Sequence, residues 1–338
     1  MANMTATQLL KAIAKAQNGL FGEAEMRTYT HSLNALLLGA ENELFRNLGG
    51  LKKSDEQPTK AILFNRNSIA SGTAKSASHT AAAFADTFEK DIAYVKRVQK
   101  FKVSQKQADN NQFDYQEILN HNIKNALINL YEDISAFNVA FIDTNRTQVG
   151  INSLLAFDSV TDYEFDVTAG DEDNLFEYLK SSMRKNKYRP MFDMVGDQKN
   201  AAEFRRIGAQ GGGNSTNLSY TIPGFDYVEE EQIANTTLGI GYVWQKGMVA
   251  MSTWNEPLNR RSQGEPGDND GMFTTFREPA FGMLLDLHVI RSIADTSGSG
   301  GNVQDSVDEY ELTAIFTTQA AFESTSDATP IFKVSQKA

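Results

Sequence analysis

The sequence predicts an α+β protein organised around one long helical rod, and three observations carry that prediction. A tract dominated by small polar residues runs over 61–107. An unbroken amphipathic pattern follows it over 114–142, and from Gly150 onward helical patterns alternate with strand-like runs as far as the C-terminus. A pocket enzyme is organised around its ligating residues, whereas this order puts an extended arm and a rod first. It is the layout of a building block.

Near the start, Leu9, Leu10, Ile13, Ala16 and Leu20 recur at helical spacing, and Asn18-Gly19 supplies a stop. Leu33, Leu36, Leu37, Ala40, Leu44 and Leu48 then form one stripe ended by Gly49-Gly50, which predicts a second and stronger helix. Together they make a helical arm, packed either on its own body or on a neighbouring copy. Residues 52–59 are polar with Pro58 near the end, which reads as a linker. Residues 61–64 suit a short strand, but the Ser, Ala, Thr and Asn of 65–83 carry too little apolar surface to order themselves alone. Phe84, Phe88, Ile92, Tyr94, Val95, Val98, Phe101 and Val103 follow, with Lys96, Arg97, Gln99, Lys100 and Lys102 between the later ones. This predicts two long strands joined through a tip. An isolated hairpin is marginal in water, so it must lie on something else. A lid over an active site is the competing reading.

The rod comes next. Asp114 with Glu117 has the logic of a capping box, with Asp in place of Ser or Thr. Tyr115, Ile118, Leu119, Ile123, Ala126, Leu127, Leu130, Ile134, Phe137 and Phe141 follow at steps of three and four, and neither Gly nor Pro intervenes over 114–144. A helix of that length is on the order of 40 Å long, about the width of a domain. Ile118, Leu119, Leu127, Leu130, Ile134 and Phe137 are its predicted core face.

Beyond Gly150, the stripe Leu175, Phe176, Leu179, Met183 predicts a helix that opens on Asp171-Glu172-Asp173 and closes on Arg184-Lys185, as the helix dipole favours. Residues 190–195 read as a buried strand, 198–210 as a helix, 211–219 as an open loop, and 226–228 as a strand. Residues 241–253 read as strand, turn, strand, and 284–293 and 310–319 as long strands around the Gly/Ser loop 297–301.

Composition narrows the function. Hydrophobic residues at 41% and charged residues at 22% of the 338 fit an ordinary folded chain. The chain has no cysteine, which removes disulfides, thiolate metal sites and thiol nucleophiles together. Lys11 and Lys15 interrupt the apolar residues of the N-terminus, so no signal peptide is expected, and no apolar run approaches the roughly 18 residues of a membrane span. The net charge of −11 disfavours general adhesion to nucleic acid, leaving at most weak, non-specific contact with DNA.

Chemistry-bearing patterns are sparse. His31, His79, His121 and His288 fall in four separate segments, without an HExxH or a GxSxG elbow. Gly211-Gly212-Gly213 follows a helix, the wrong context for a phosphate loop. Asp268-Asn269-Asp270-Gly271 resembles a calcium loop, but Pro266 and Arg277 would occupy its first and last ligand positions. Trp244 and Trp254 flank the predicted 241–253 hairpin and read as core or interface packing. No catalytic, cofactor or metal residue is predicted.

The order of parts resembles the tailed-phage major capsid proteins of the Hong Kong 97-like fold. It covers nearly the whole chain, and it rests on order rather than on invariant residues. The segment PMFDMVGDQKNAAEFRRIGAQGG matches the family's strand, loop, helix and open loop; EPAFGMLLDLHVIRSIADT, DEYELTAIFTTQAAF and TPIFKV match its returning strands. The resemblance implies an N-terminal arm over 1–58, an extended loop over 59–108, the spine helix and start of a peripheral domain over 109–149, an axial domain over 150–277 and peripheral return strands over 278–338. It implies a self-assembling subunit, not an enzyme, that builds pentamers and hexamers of an icosahedral shell around double-stranded DNA, without cofactor or membrane. Its location would be the virion capsid, assembled in the host bacterial cytoplasm, with scaffold, portal and decoration proteins as further partners. Phe64, Phe84, Phe88, Tyr94 and Phe101 in the loop and Leu33, Leu37 and Leu44 in the arm become the candidates for contacts between subunits. Lys75 and Lys90 lie where some relatives cross-link loop lysines to asparagines. An encapsulin-type cargo shell, another phage structural protein such as a tail component, and an enzyme with a scattered site stay open as alternatives.

Overall fold

A computed structural model of the chain describes residues 32–45, 57–64, 87–104, 115–147, 155–158, 164–168, 171–211, 222–233, 239–256, 264, 271–278, 282–295, 304–321 and 329–336. Its helices are α1 (Ser32–Gly39), α2 (Glu41–Leu44), α3 (Tyr115–Thr144), α4 (Leu175–Lys185) and α5 (Gln198–Gly211). Its strands are β1 (Lys60–Phe64), β2 (Thr87–Asp91), β3 (Val95–Ser104), β4 (Ala156–Asp158), β5 (Glu164–Val167), β6 (Phe192–Gly196), β7 (Phe225–Glu229), β8 (Ile240–Gln245), β9 (Val249–Thr253), β10 (Met272–Arg277), β11 (Leu284–Asp295), β12 (Gln304–Ala320) and β13 (Phe332–Gln336). These residues fall into two compact units. One takes Tyr94–Phe137 and Ser252–Thr317 with the described end of Met1–Leu38; the other takes the described parts of Gly39–Ala93, Asn138–Met251 and Thr318–Ala338.

In the first unit, strands pair in the order β10-β11-β12-β3, all antiparallel, and β9 also pairs with β12. The α3 helix supplies Leu119, Ile123, Leu127, Leu130, Tyr131 and Ile134 to the core, at the three- and four-residue steps its sequence shows. Its 30 residues form one unbroken helix. Ile118 and Phe137, expected on the core face, are only half-buried at its margins. Asn34 of α1 donates to the Tyr131 carbonyl at 3.4 Å.

In the second unit, the strand order is β4-β5-β13-β8-β6-β7, with parallel β13/β5 and β6/β7 pairs. Phe165, Val167, Phe332, Val334, Val243, Met194, Phe192 and Phe225 form one core with Leu175, Phe176, Leu179 and Met183 of α4 and Phe204 of α5. Asp197 caps α5: its Oδ1 accepts from the Asn200 N–H and its Oδ2 from the Ile240 N–H, both at 2.9 Å. The α4 helix ends on Lys187 at φ 66°, with the Tyr188 N–H reaching back to the Met183 carbonyl at 3.1 Å. That is a Schellman stop made without glycine.

Three expectations need correction. The stripe from Leu33 to Leu44 is not one helix, because α1 ends at Gly39 and α2 begins at Glu41. The predicted long hairpin is also two separate things. Lys60–Phe64 pairs with Thr87–Asp91 in a two-stranded ribbon, whereas β3 leaves it to pair with β12 over Val95–Ser104. Finally, β8 and β9 adjoin through a tight turn but are not paired: β8 lies between β13 and β6, while β9 pairs with β12. Trp244 and Trp254 are both buried.

Candidate assembly surfaces

The four-strand pairing sorts β3 into two faces. Phe101 lies opposite Tyr310, Gln99 opposite Leu312 and Arg97 opposite Ala314; Lys102, Lys100 and Lys96 lie opposite Glu309, Glu311 and Ile315. The first set points at the rod. Phe101 stacks on Tyr310 at 4.9 Å between ring centroids, Gln99 Nε2 donates to Asp133 at 2.7 Å, and the Arg97 guanidinium lies 5.5 Å from the Phe137 ring centroid. The second set carries a ladder of exposed ion pairs: Lys96–Glu256 at 2.8 Å, and Lys100–Glu311 and Lys102–Glu309 at 2.7 Å. Beside it, His288 stacks flat on Phe273 at 4.1 Å.

Each lysine stays in solvent, so the ladder fixes strand register more than it stabilises. The hydrogen bond to Glu311 raises the Lys100 ammonium above its usual range, and the bond from Lys102 lowers the Glu309 carboxyl. Lys102→Ala is accordingly expected to change stability by under ~1 kcal/mol, less still in high salt. Denaturant midpoints of the unassembled chain at two salt concentrations check it.

Where the rod begins, a part-buried network ties it to the sheet. Arg291 grips Asp308 with two bonds, Nε to Oδ1 at 2.7 Å and Nη2 to Oδ2 at 3.1 Å. The Tyr115 hydroxyl donates to Asp308 Oδ2 at 2.6 Å and lies 3.1 Å from the Tyr310 hydroxyl. Burial pushes both tyrosines far above the usual phenol range. The network centres on the buried Asp308 and Tyr310. It is a lock for the rod.

The expected contact residues are not brought together. Leu33 and Leu37 are 0% exposed and Leu44 8%, so these three are buried within the single chain. Phe101 is occupied by Tyr310, and Tyr94 is half-buried. Phe64 and Phe88 lie in the β1/β2 ribbon, in register with Thr87 and Leu63. Phe84 lies outside the described residues, as do His31, His79, Lys75, Asp114 and residues 265–270. The side chains of Phe64 and Phe88 do also. Among the described residues there is no group of three His, Asp or Glu placed to hold a metal ion, and no helix is long and apolar enough to cross a membrane. His121 is exposed on α3 and meets Asn125 at 3.0 Å.

No family model matches the chain, and no curated protein matches it. Solved structures do. One, titled Mycobacterium phage Che8, superposes with a TM-score of 0.52 at 12% identity, over 93% of this chain and 98% of that one. The chain has the fold of a phage protein. Structures titled Mycobacterium phage Bobi (TM-score 0.49, 11% identity, all of both chains) and "Capsid of native GTA particle computed with C5 symmetry" (0.47, 14%, 84% of this chain and 86% of that one) are more distantly similar. The sequence signal for the face carrying the ladder was present in the spacing of Lys96, Lys100 and Lys102. Its partners, Glu309 and Glu311 on β12 and Glu256 after β9, were not readable without the register.

Proposed function

We propose that this chain is the major capsid protein of a tailed phage, polymerising into the pentamers and hexamers of a closed icosahedral shell that encloses double-stranded DNA. The observation that supports this most is the likeness to the Che8 phage protein over almost the full length of both chains, joined to a single 30-residue rod. In this reading α3 is the spine. The β1/β2 ribbon is the described base of an extended loop that gains its burial on a neighbouring subunit, the sheet of β4 to β8 with β13 and its helices α4 and α5 is the axial domain, and the returning strands β10, β11 and β12 with β3 belong to the peripheral domain. Neighbouring subunits are the main partners, with scaffold, portal and decoration proteins beyond them. The protein works in the virion after assembly in the bacterial cytoplasm, and it is not an enzyme. An acidic subunit repels packaged DNA and keeps the inner wall from trapping it.

Size-exclusion chromatography with light scattering, followed by negative-stain imaging, tests the reading. Capsomers or closed shells are expected; a folded monomer at every concentration is the result that sinks it. The ribbon gives a sharper test. A two-stranded ribbon is marginal alone, and burying a Phe is worth roughly 1.5–3 kcal/mol. Phe88→Ala is therefore expected to leave the unassembled chain's melting almost unchanged while sharply lowering particle yield. A large loss of monomer stability instead would assign Phe88 to an ordinary core.

A further inference from the structure

Asp193 is a buried carboxylate of the second unit. It sits on β6 at 1% exposure, and its Oδ1 has no hydrogen-bond partner. Its register partner on the parallel strand β7 is another aspartate, Asp226. One cation serves the pair: Lys246, in the β8–β9 turn, is bonded to Asp226. A third carboxylate arrives from α2. Glu43 lies against Gly247, closely enough that any side chain there would collide with its carboxylate, and Gly247 holds φ at +79° to make the turn. The Gly247 N–H in turn donates to Asp193. Three carboxylates thus converge from three elements on one ammonium, and the buried one lies beneath the contact between α2 and the turn.

We propose that the Asp193–Asp226–Lys246–Glu43 cluster is a proton-operated latch, which holds helix α2 on the β8–β9 turn when Asp193 carries a proton and loosens it when that proton is lost. Burial first, then the neighbouring Asp226 and Glu43 charges, push the Asp193 carboxyl up to about 6 against the opposing pull of Lys246 and the Gly247 N–H. Asp193 is neutral more readily in the folded chain than in the unfolded one. Its contribution is therefore present in acid and lost as pH rises through about 6. Above that point a buried negative charge faces Glu43 across Gly247, and the contact weakens.

Hydrogen exchange on the full-length chain between pH 5 and 8, each rate divided by the intrinsic rate at that pH, tests the latch. The Glu43, Leu44 and Phe45 amides bond back to the Ala40 and Glu41 carbonyls, so they report on α2. Their protection is expected to fall several-fold with a midpoint near 6. Asp193→Asn should abolish that pH dependence and keep the protected level throughout. Two further variants keep the idea testable if Asp193→Asn does not fold: Asp226→Asn should move the midpoint down and Lys246→Gln should move it up. Protection that is independent of pH in the unaltered chain, or a midpoint unmoved by both neighbour substitutions, overturns the proposal.

Discussion

Leu127→Pro is expected to abolish soluble folding. Leu127 has no exposed surface and lies in the middle of α3. A proline there removes one helical hydrogen bond and drives its ring into the preceding turn, at about 3 kcal/mol or more. It also gives up the leucine's packing, worth about 2–5 kcal/mol in a site of this kind. Together these approach the roughly 5–15 kcal/mol that holds a domain folded. The damage also spreads, because a kink at 127 shifts Asp133 and Phe137, which meet Gln99 and Arg97 of β3. Leu127→Ala separates the two costs: it keeps the helix and is expected to yield a soluble but destabilised chain. Soluble yield and far-ultraviolet circular dichroism of both variants provide the measurement. Normal yield and helicity for the proline variant would show that the rod is not the element on which folding depends.

The rod was the most legible part of the sequence because everything that specifies it is local. Its buried residues repeat within one turn of each other, and no residue from 115 to 144 breaks the pattern. The elements of the second unit were legible for the same reason. A mostly apolar run interrupted by Asp193 marked β6, whose five residues are all buried, and acidic-to-basic polarity marked α4. Pairing was not local and was misread. Val95–Ser104 looked like the second arm of a hairpin because it follows Thr87–Asp91 closely, yet its partner is β12. Apolar alternation misled in detail too: Val98 lies on the lysine face at 37% exposure, while the polar Arg97 and Gln99 point at the rod. Those two are satisfied by Phe137 and Asp133, partners no spacing rule could supply. The arm leucines Leu33, Leu37 and Leu44, buried already in the single chain, show a related limit. A leucine stripe reports that a face will be buried, and it is silent on which chain buries it.

Asp308→Ala is the second change expected to have a large effect, and it tests whether the sheet and the rod are held together by the network at the start of α3. The Asp308 side chain is 2% exposed and that of Arg291 20%, so neither exchanges its partner freely for water. Removing the carboxylate takes both of its bonds from the guanidinium and leaves the Tyr115 hydroxyl without the oxygen 2.6 Å away. Breaking one side of a buried pair costs about 3–5 kcal/mol, because the remaining charge is uncompensated. That is several times the under ~1 kcal/mol expected for Lys102→Ala on the opposite face of the same sheet. The contrast between these two ion pairs is the point of the experiment. Both join side chains at 2.7 Å, and they differ in solvent. Asp308→Asn keeps the volume and one acceptor but turns an amide NH2 toward the Arg291 or Tyr115 donors, so it should fall between the two. Removing both charges with Arg291→Met and Asp308→Leu is expected to recover part of the loss, since an apolar pair leaves nothing uncompensated. Denaturant midpoints of the unassembled chain for all four variants decide the matter. If Asp308→Ala proves no costlier than Lys102→Ala, the network is incidental, and the rod is held to its sheet by apolar packing with the Gln99 and Arg97 contacts.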